Sequence, residues 1–405
     1  QNNWNINNNL QLSSILAFTD YSRRTKTIKH QFSDGINYLS NEPGSQDKST
    51  FKNLVFRNTL QYQISPTVSL QPGIDINHEK ATGARIDGTP EINDFAFFVS
   101  SEIKPNNTIN IRPGLRFIKN SVYSAPPVIP SINSKFTLYN NFDLRVAYAY
   151  GFRSPALREL YYNFVDANHI IVGNPHLKAE HSSSFNGSLS CTLPKTKQGH
   201  QNVITLSSFY NTFNNLINYA TSPTSTDTTI TVNIDKYKTT GIMIEDKLQS
   251  KNFTASLGFS YIGRYNQLAD AEGFKNENLP HFMWSPELNA SMIYEFSKTG
   301  ASLALFYKFS GKKPGYEAVT NTSTGAQEIH LTHIDGCHIA DFTINKKLFT
   351  YFSVSGGVKN IFNVTQLTNT STNPDGVHST GAAIDMSYGR SYFIGLSFQL
   401  NTKHQ

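Results

Sequence analysis

The feature that most constrains this chain is an alternation of apolar and polar residues with a period of two, repeated from one end to the other. In 142–152 one face carries Phe142, Leu144, Val146, Tyr148, Tyr150 and Phe152, and the other Asp143, Arg145, Ala147, Ala149 and Gly151. In 109–117 Ile109, Ile111, Leu115 and Phe117 stand against Asn110, Arg112, Gly114 and Arg116. Near the C-terminus Tyr392, Ile394, Leu396, Phe398 and Leu400 stand against Ser391, Gly395, Ser397 and Gln399. Similar stripes run through 54–64, 95–103, 253–261, 288–296, 303–309 and 352–358. Successive side chains of a strand point to opposite faces, so this spacing predicts half-buried strands. Helical periodicity is sustained over three turns nowhere, and the chain reads as all-β.

The connections select the architecture. Very short turns at 65–67, 105–107, 140–141, 251–252, 298–299 and 349–350 alternate with long polar loops covering 31–48, 80–91, 152–178, 266–284, 311–329 and 363–389. A soluble sandwich has no reason to put every short turn at one end, whereas a transmembrane antiparallel β-barrel has short periplasmic turns and longer extracellular loops. Aromatic residues near strand ends (Tyr150, Phe152, Tyr261, Phe296, Phe309 and Phe398) suit the membrane interface. Inward Arg112, Arg116, Arg145 and Glu295 would be costly in a dry core and are tolerable in a hydrated or plugged lumen. About 16 strands are expected from Leu10 to Leu400. Gln1–Ile6 reads as the stub of an earlier strand, followed by a turn at Asn7–Asn9.

Composition excludes several classes. With 12% aromatic and 16% charged residues, the chain is not of the disordered type. The net charge of +6 is spread over 405 residues without a dense Lys/Arg block, so nucleic acid is not an expected partner. No run approaches the roughly 20 apolar residues of a spanning helix. Cys191 and Cys337, at opposite ends of their strands, are expected as free thiols. The sequence opens without an initiator Met or a signal-peptide pattern, so its beginning is expected to be missing or processed. No nucleophile elbow, metalloprotease helix or phosphate-binding loop occurs, and no catalytic residue is assigned.

One interruption stands out. After the strand that ends near Phe152, the chain runs for about 25 residues without alternation, a length usually functional or disordered. Ser154 is expected to cap a short helical turn with Pro155 at its first position, and Asn174-Pro175 to mark the turn into the next strand. Between them Tyr161, Tyr162, Phe164, Asp166 and His169 are expected to project at the outer mouth as a ligand-facing loop.

Phe152-Arg153-Ser154-Pro155, Leu160-Tyr161-Tyr162 and Gly173-Asn174-Pro175-His176-Leu177 resemble the paired FRAP and NPNL boxes of TonB-dependent outer-membrane receptors. The 358–363 segment VKNIFN and the 388–400 segment YGRSYFIGLSFQL are similar to that family's last two strands. With the barrel pattern, the resemblance covers 1–405 as the C-terminal portion of a receptor barrel. It implies a Gram-negative outer-membrane location and a 22-stranded barrel. It also implies an N-terminal plug, coupling to the TonB complex through that plug, and in some members an accessory surface lipoprotein. Neither plug nor TonB box is recognised in this sequence, and about six strands of the family's barrel are lacking.

What the resemblance implies about function is active uptake of a scarce, bulky nutrient. Receptors with a histidine between the two boxes are best known for haem, so His169 would be an axial ligand to haem iron, with Tyr161, Tyr162, Phe164 and Asp166 lining the ligand. Haem would be transported cargo, with no intrinsic cofactor. Phe152, Arg153, Pro155, Asn174, Pro175 and Leu177 would anchor the loop. A siderophore or corrinoid receptor of the same family remains open, as does a passive porin-like channel or a truncated remnant. His330, His333, Cys337 and His338 also gather within nine residues. On a strand they would split between two faces, so a loop running into a strand is the simpler reading than a metal site.

Overall fold

The computed structural model of the chain describes residues 1–41, 45–165, 170–222, 225–321, 323–325, 327–371 and 383–399. Alternation becomes pairing throughout. The first wall strands are β1 (Asn2–Asn7), β2 (Leu10–Lys26), β3 (Gln46–Ser65), β4 (Val68–Thr82), β5 (Glu91–Asn106) and β6 (Ile109–Asn120). They continue as β7 (Ile129–Tyr139), β8 (Phe142–Arg153), β9 (Glu180–Thr192), β10 (Gln201–Ser222), β11 (Ser225–Gln249) and β12 (Phe253–Tyr265). The last are β13 (Phe282–Phe296), β14 (Ala301–Ser310), β15 (Cys337–Lys347), β16 (Phe352–Lys359) and β17 (Ser391–Phe398). Each pairs antiparallel with its sequence neighbours, in one meander. Among the described residues β1 pairs only with β2 and β17 only with β16, so no pairing joins the two ends of the sheet. The expected strand set from Leu10 onward is present, and the N-terminal stub is β1, in register with β2 from Asn2 opposite Ser14.

Pairing fixes the two faces, because a residue and its antiparallel partner point the same way. Leu144 lies opposite Leu189 and Phe136, and Tyr148 opposite Phe185, on the outer face. Phe18, Leu54, Phe97, Leu257 and Tyr261 continue that apolar face and are exposed. The inner face is a polar ladder. Asp75 accepts from Arg57 and Arg116, with Arg116 Nη2 at 3.0 Å. Glu102 holds Arg112 and Lys104, and Asp143 holds Lys135 at 3.1 Å. Ser184 donates to Asn211 and Asn211 to Thr239 across three strands. A wall so rich in charged and polar groups suits water or another polar surface, because covering it with apolar side chains would strip those groups of solvent.

The connections divide by end as the sequence reading expects. Tight turns join β1–β2, β3–β4, β5–β6, β7–β8, β11–β12, β13–β14 and β15–β16 at one end; long connections occupy the other. Three features depart from that reading, the first being the 193–200 connection of β9 to β10 at the tight-turn end. The 121–128 segment joins β6 to β7 at the long-loop end, and β10 and β11 rise far above the other strands as one hairpin. Asn215 has a left-handed backbone, φ 55°, within β10, while the register with β11 is kept on either side of it. Cys191 and Cys337 are both free thiols.

Candidate functional site

The buried apolar cluster of this molecule sits at the long-loop end rather than inside the sheet. Ala81 and Ile92 from the tops of β4 and β5 meet Ile86 of the 83–90 loop and Leu157, Leu160, Tyr162 and Leu177 of the 154–179 loop. Burying each of the two leucines from α1 (Leu157–Tyr161) contributes about 1.5–3 kcal/mol. The long interruption is therefore a folded cap over the lumen side of β2–β5.

Its footings are charged. Arg153, the last residue of β8, donates from Nε and Nη2 to the two oxygens of Glu180, both at 2.8 Å, and from Nη1 to Glu159 at 2.9 Å. Glu159 in turn accepts from the Ala156 amide at 2.7 Å, and Glu180 from the Ile217 amide at 2.7 Å. One guanidinium thus joins β8, β9, α1 and, through Glu180, β10. The helix cap differs from the sequence expectation. α1 starts two residues later, its N-cap Ala156 makes no side-chain cap bond, and the Glu159 carboxylate reaches back to accept from the Ala156 amide. Pro155 is buried ahead of the cap, and Arg153 holds Glu159 where it can reach back to the Ala156 amide.

The far end is held by amides. Asn174 accepts from the His176 amide at 2.9 Å and donates to the Thr231 carbonyl at 3.1 Å. Asn233 donates to the carbonyls of Lys178 and Asn215, and accepts from the Lys178 amide at 2.7 Å. Ile170–Val172 pairs parallel with Thr228–Ile230 of β11. Gly173 is required by close approach: a Cβ there would meet the Leu160 carbonyl at 2.7 Å and the Tyr162 amide nitrogen at 2.8 Å.

Of the residues expected to face ligand, Asp166 and His169 lie outside the described residues. Tyr161 packs partly against the apolar cluster, and Tyr162, 9% exposed, belongs to it. Tyr162 bridges to Ile86 and stacks on Phe164 at 5.7 Å, and Phe164 is covered by the Arg85 guanidinium at 4.3 Å. These aromatics are packed into the cap instead of projecting freely, since the 83–90 loop closes over them. Phe152 sits on the outer face against His181 at 5.6 Å, and Leu177 is in the cluster.

Beneath the cap, on the lumen side, lies a notch of about 80 Å³ that sequence reading missed. Tyr21, Arg23, Thr25, Asp47, Ser49 and Phe51 of β2 and β3 line it, with Arg85, Arg158 and Tyr162 from the two loops. Arg85 is 2% exposed, and the Arg158 guanidinium lies 4.9 Å over the Tyr162 ring. Asp47 is occupied by the Ala84 amide at 2.7 Å and by Ser49. Only the alternation of β2 could have signalled that Tyr21 and Arg23 face inward; the loop arginines converge through tertiary packing. A larger hollow of about 620 Å³, around Gly187 and Ser208, opens on the outer apolar face and belongs to the lipid side.

Elsewhere at the mouth, Tyr265 and Lys236 donate hydrogen bonds to Asp270, which hold its carboxyl below the usual carboxylate range. Burial pushes the Tyr123 hydroxyl above the usual tyrosine range, helped by Tyr161 and Glu159, and among the described residues that hydroxyl has no hydrogen-bond partner. The histidine-rich segment is split. Glu328 neighbours His330 at 3.6 Å, and Asp335 neighbours His333 at 3.3 Å. His338 shares a 2.7 Å hydrogen bond with the Tyr307 hydroxyl. Among the described residues no group of three or more His, Cys, Asp or Glu side chains is arranged to hold a metal.

Comparison with known proteins bears on the whole arrangement. The family described as TonB dependent receptor-like, beta-barrel matches residues 1–361. Among solved structures, the ferric enterobactin receptor PfeA of Pseudomonas aeruginosa superposes with a TM-score of 0.69 at 16% identity, covering 96% of this chain and 60% of that one. The siderophore receptor PirA of Acinetobacter baumannii gives 0.68 at 15% identity over 96% and 60%. The outer membrane transporter YddB of Escherichia coli gives 0.68 at 13% identity over 96% and 61%. At these identities the likeness is one of fold, and the chain spans about three fifths of the length of those structures. No curated protein matches.

Proposed function

The chain belongs to the TonB dependent receptor-like β-barrel family, and on that premise we propose that it forms the wall of an outer-membrane receptor that captures a bulky, anionic iron chelate at its extracellular mouth. The observation that carries this reading is the notch under the cap, where Arg23, Arg85 and Arg158 stand among Tyr21, Phe51 and Tyr162. Guanidinium groups beside aromatic rings suit a ligand that is both negatively charged and aromatic, through charge-assisted hydrogen bonds and stacking. The notch is too small for a whole chelate and would take one anionic arm, the remainder resting on the cap. A ferric siderophore bearing acidic aromatic groups meets these demands, and the siderophore receptors named above have the same fold. A neutral corrinoid would make no use of the charges of Arg23 and Arg158.

The polar inner ladder would face a plug domain, through which TonB would supply the force for release into the periplasm. Haem is the second reading, favoured by His169 between the two boxes; its carboxylates would use the same arginines and its iron the imidazole.

The test is a pair of titrations on the full-length protein, one with a ferric catecholate and one with haem. Arg23→Ala with Arg158→Ala should weaken the siderophore by at least about tenfold, about 1.4 kcal/mol. An unchanged affinity would remove the notch from the ligand site. A Soret change that His169→Ala abolishes would transfer the assignment to haem.

A further inference from the structure

We propose that the outer face of β2, β3 and β4, where these strands rise above the apolar band, is a binding site for the phosphates of a membrane lipid headgroup. The proposal rests on the reading that the chain spans a membrane and is independent of which cargo the lumen takes.

The outer face of β2 passes from Leu16 and Phe18, 69% and 66% exposed, to Asp20, Ser22, Arg24 and Lys26 within a few residues. Arg24 lies directly opposite Lys48, and Lys52 directly opposite Lys80. Side chains so paired have Cβ atoms about 4.5–5.5 Å apart, and like charges in that relation destabilise a sheet. Two such pairs on one face call for a counter-anion. The protein supplies part of it: Asp20 lies directly opposite Lys52 and Glu91 directly opposite Lys80, while Arg24, Lys26, Lys48, Lys52 and Lys80 still outnumber these two carboxylates. Asp20 meets Lys52 at 3.3 Å, while the Glu91 carboxylate lies 3.5 Å from His78. Among the described residues, no carboxylate forms an ion pair with Arg24, Lys26, Lys48 or Lys80.

The location identifies the anion's source. Near the long-loop ends of other strands the outer face carries rings: Tyr150 and Phe152, Tyr261 stacked on Trp284, and Tyr307 with Phe309. In the β2–β4 sector cations take their place, immediately above exposed apolar side chains. A lipid offers both halves of that pattern, acyl chains to Leu16, Phe18 and Leu54 and phosphate to the cations. Lys48 and Lys52 are four residues apart on β3, so the two like-charge pairs are about 13 Å apart. The patch keeps its net positive charge over that span, which suits the phosphates of a saccharide headgroup.

The experiment uses delipidated full-length protein in detergent, free of any iron chelate, and follows thermal unfolding on addition of lipid A, phosphatidylcholine or inorganic phosphate. Lipid A should raise the Tm well beyond phosphatidylcholine, inorganic phosphate should leave it unchanged, and Lys48→Gln with Lys80→Gln should erase the lipid A increment while keeping the response to phosphatidylcholine. A double variant that retains the increment overturns the proposal, as does inorganic phosphate reproducing it. Absence of any response to either lipid in the native sequence overturns the membrane reading itself. If the double variant does not assemble, Arg24→Gln alone should lower the apparent lipid A affinity several-fold, and an unchanged affinity there is equally decisive.

Discussion

Arg153 grips Glu180 with two parallel hydrogen bonds of 2.8 Å each, and through that grip the last residue of β8 and the first of β9 close the base of a 26-residue excursion. Arg153→Ala would leave Glu180 with the Ile217 amide alone and free Glu159 from its orientation toward Ala156. A charged hydrogen-bonded contact of this kind, half open to water, is worth about 1–2 kcal/mol. The expected outcome is faster proteolysis within 154–179 and weaker chelate binding, with the sheet's circular dichroism unchanged. A cleavage pattern identical to the parent would show that the cap stands without this fork.

Gly173→Ala places a methyl group against the backbone of Leu160 and Tyr162, where neither can yield without moving α1. Overpacking of this type costs about 1–3 kcal/mol. Hydrogen exchange should accelerate in 157–162 and not in β13–β16. Unaltered protection of α1 would mean that the cap tolerates a shift the geometry disallows.

Leu144→Arg puts a cation on the outer face between Leu189 and Phe136. Near the midplane of a bilayer this costs about 2–4 kcal/mol. Assembly into liposomes, read by urea titration of the folded fraction, should fall accordingly. A variant that assembles as well as the parent would reverse the facing of the strands.

The Asp270 carboxyl titrates below its ordinary value because Tyr265 and Lys236 donate to its charged form. A depressed folded value means the contribution is present above the unfolded pKa and fades as pH falls through the folded one. Protection factors in 266–281, corrected for the intrinsic exchange rate, should therefore be flat from neutrality down to about pH 4 and fall only below it. Asp270→Asn should remove that step; a step persisting in the variant would assign it to another group.

Much of this was legible in the residues. A period of two survives in Phe142–Phe152 and Leu303–Phe309 because each side chain there answers to one face only, lipid or lumen. The split of short turns from long loops follows from chain reversal at two unlike surfaces. What remained hidden depends on contacts between distant segments. Arg85 and Ile86 come from a loop that sequence alone shows as polar filler, yet they cover Phe164 and Tyr162. Ser154 looks like a cap by residue type, and loses that position because Arg153 delivers Glu159 to Ala156. The tall β10–β11 hairpin was obscured because Asn214, Asn215 and Asn218 break up the apolar residues of upper β10, so no clean stripe announces it.

The parallel pairing of Ile170–Val172 with Thr228–Ile230, reinforced by Asn174 and Asn233, has a mechanical meaning. The cap and the hairpin share backbone hydrogen bonds, so neither can swing without the other. Anything that lifts the cap must also bend the part of the hairpin that stands beyond the wall, residues 215–222 of β10 and 225–238 of β11. The mouth opens as one stiff flap, and its resistance is set at the hairpin's root as much as where cargo first touches.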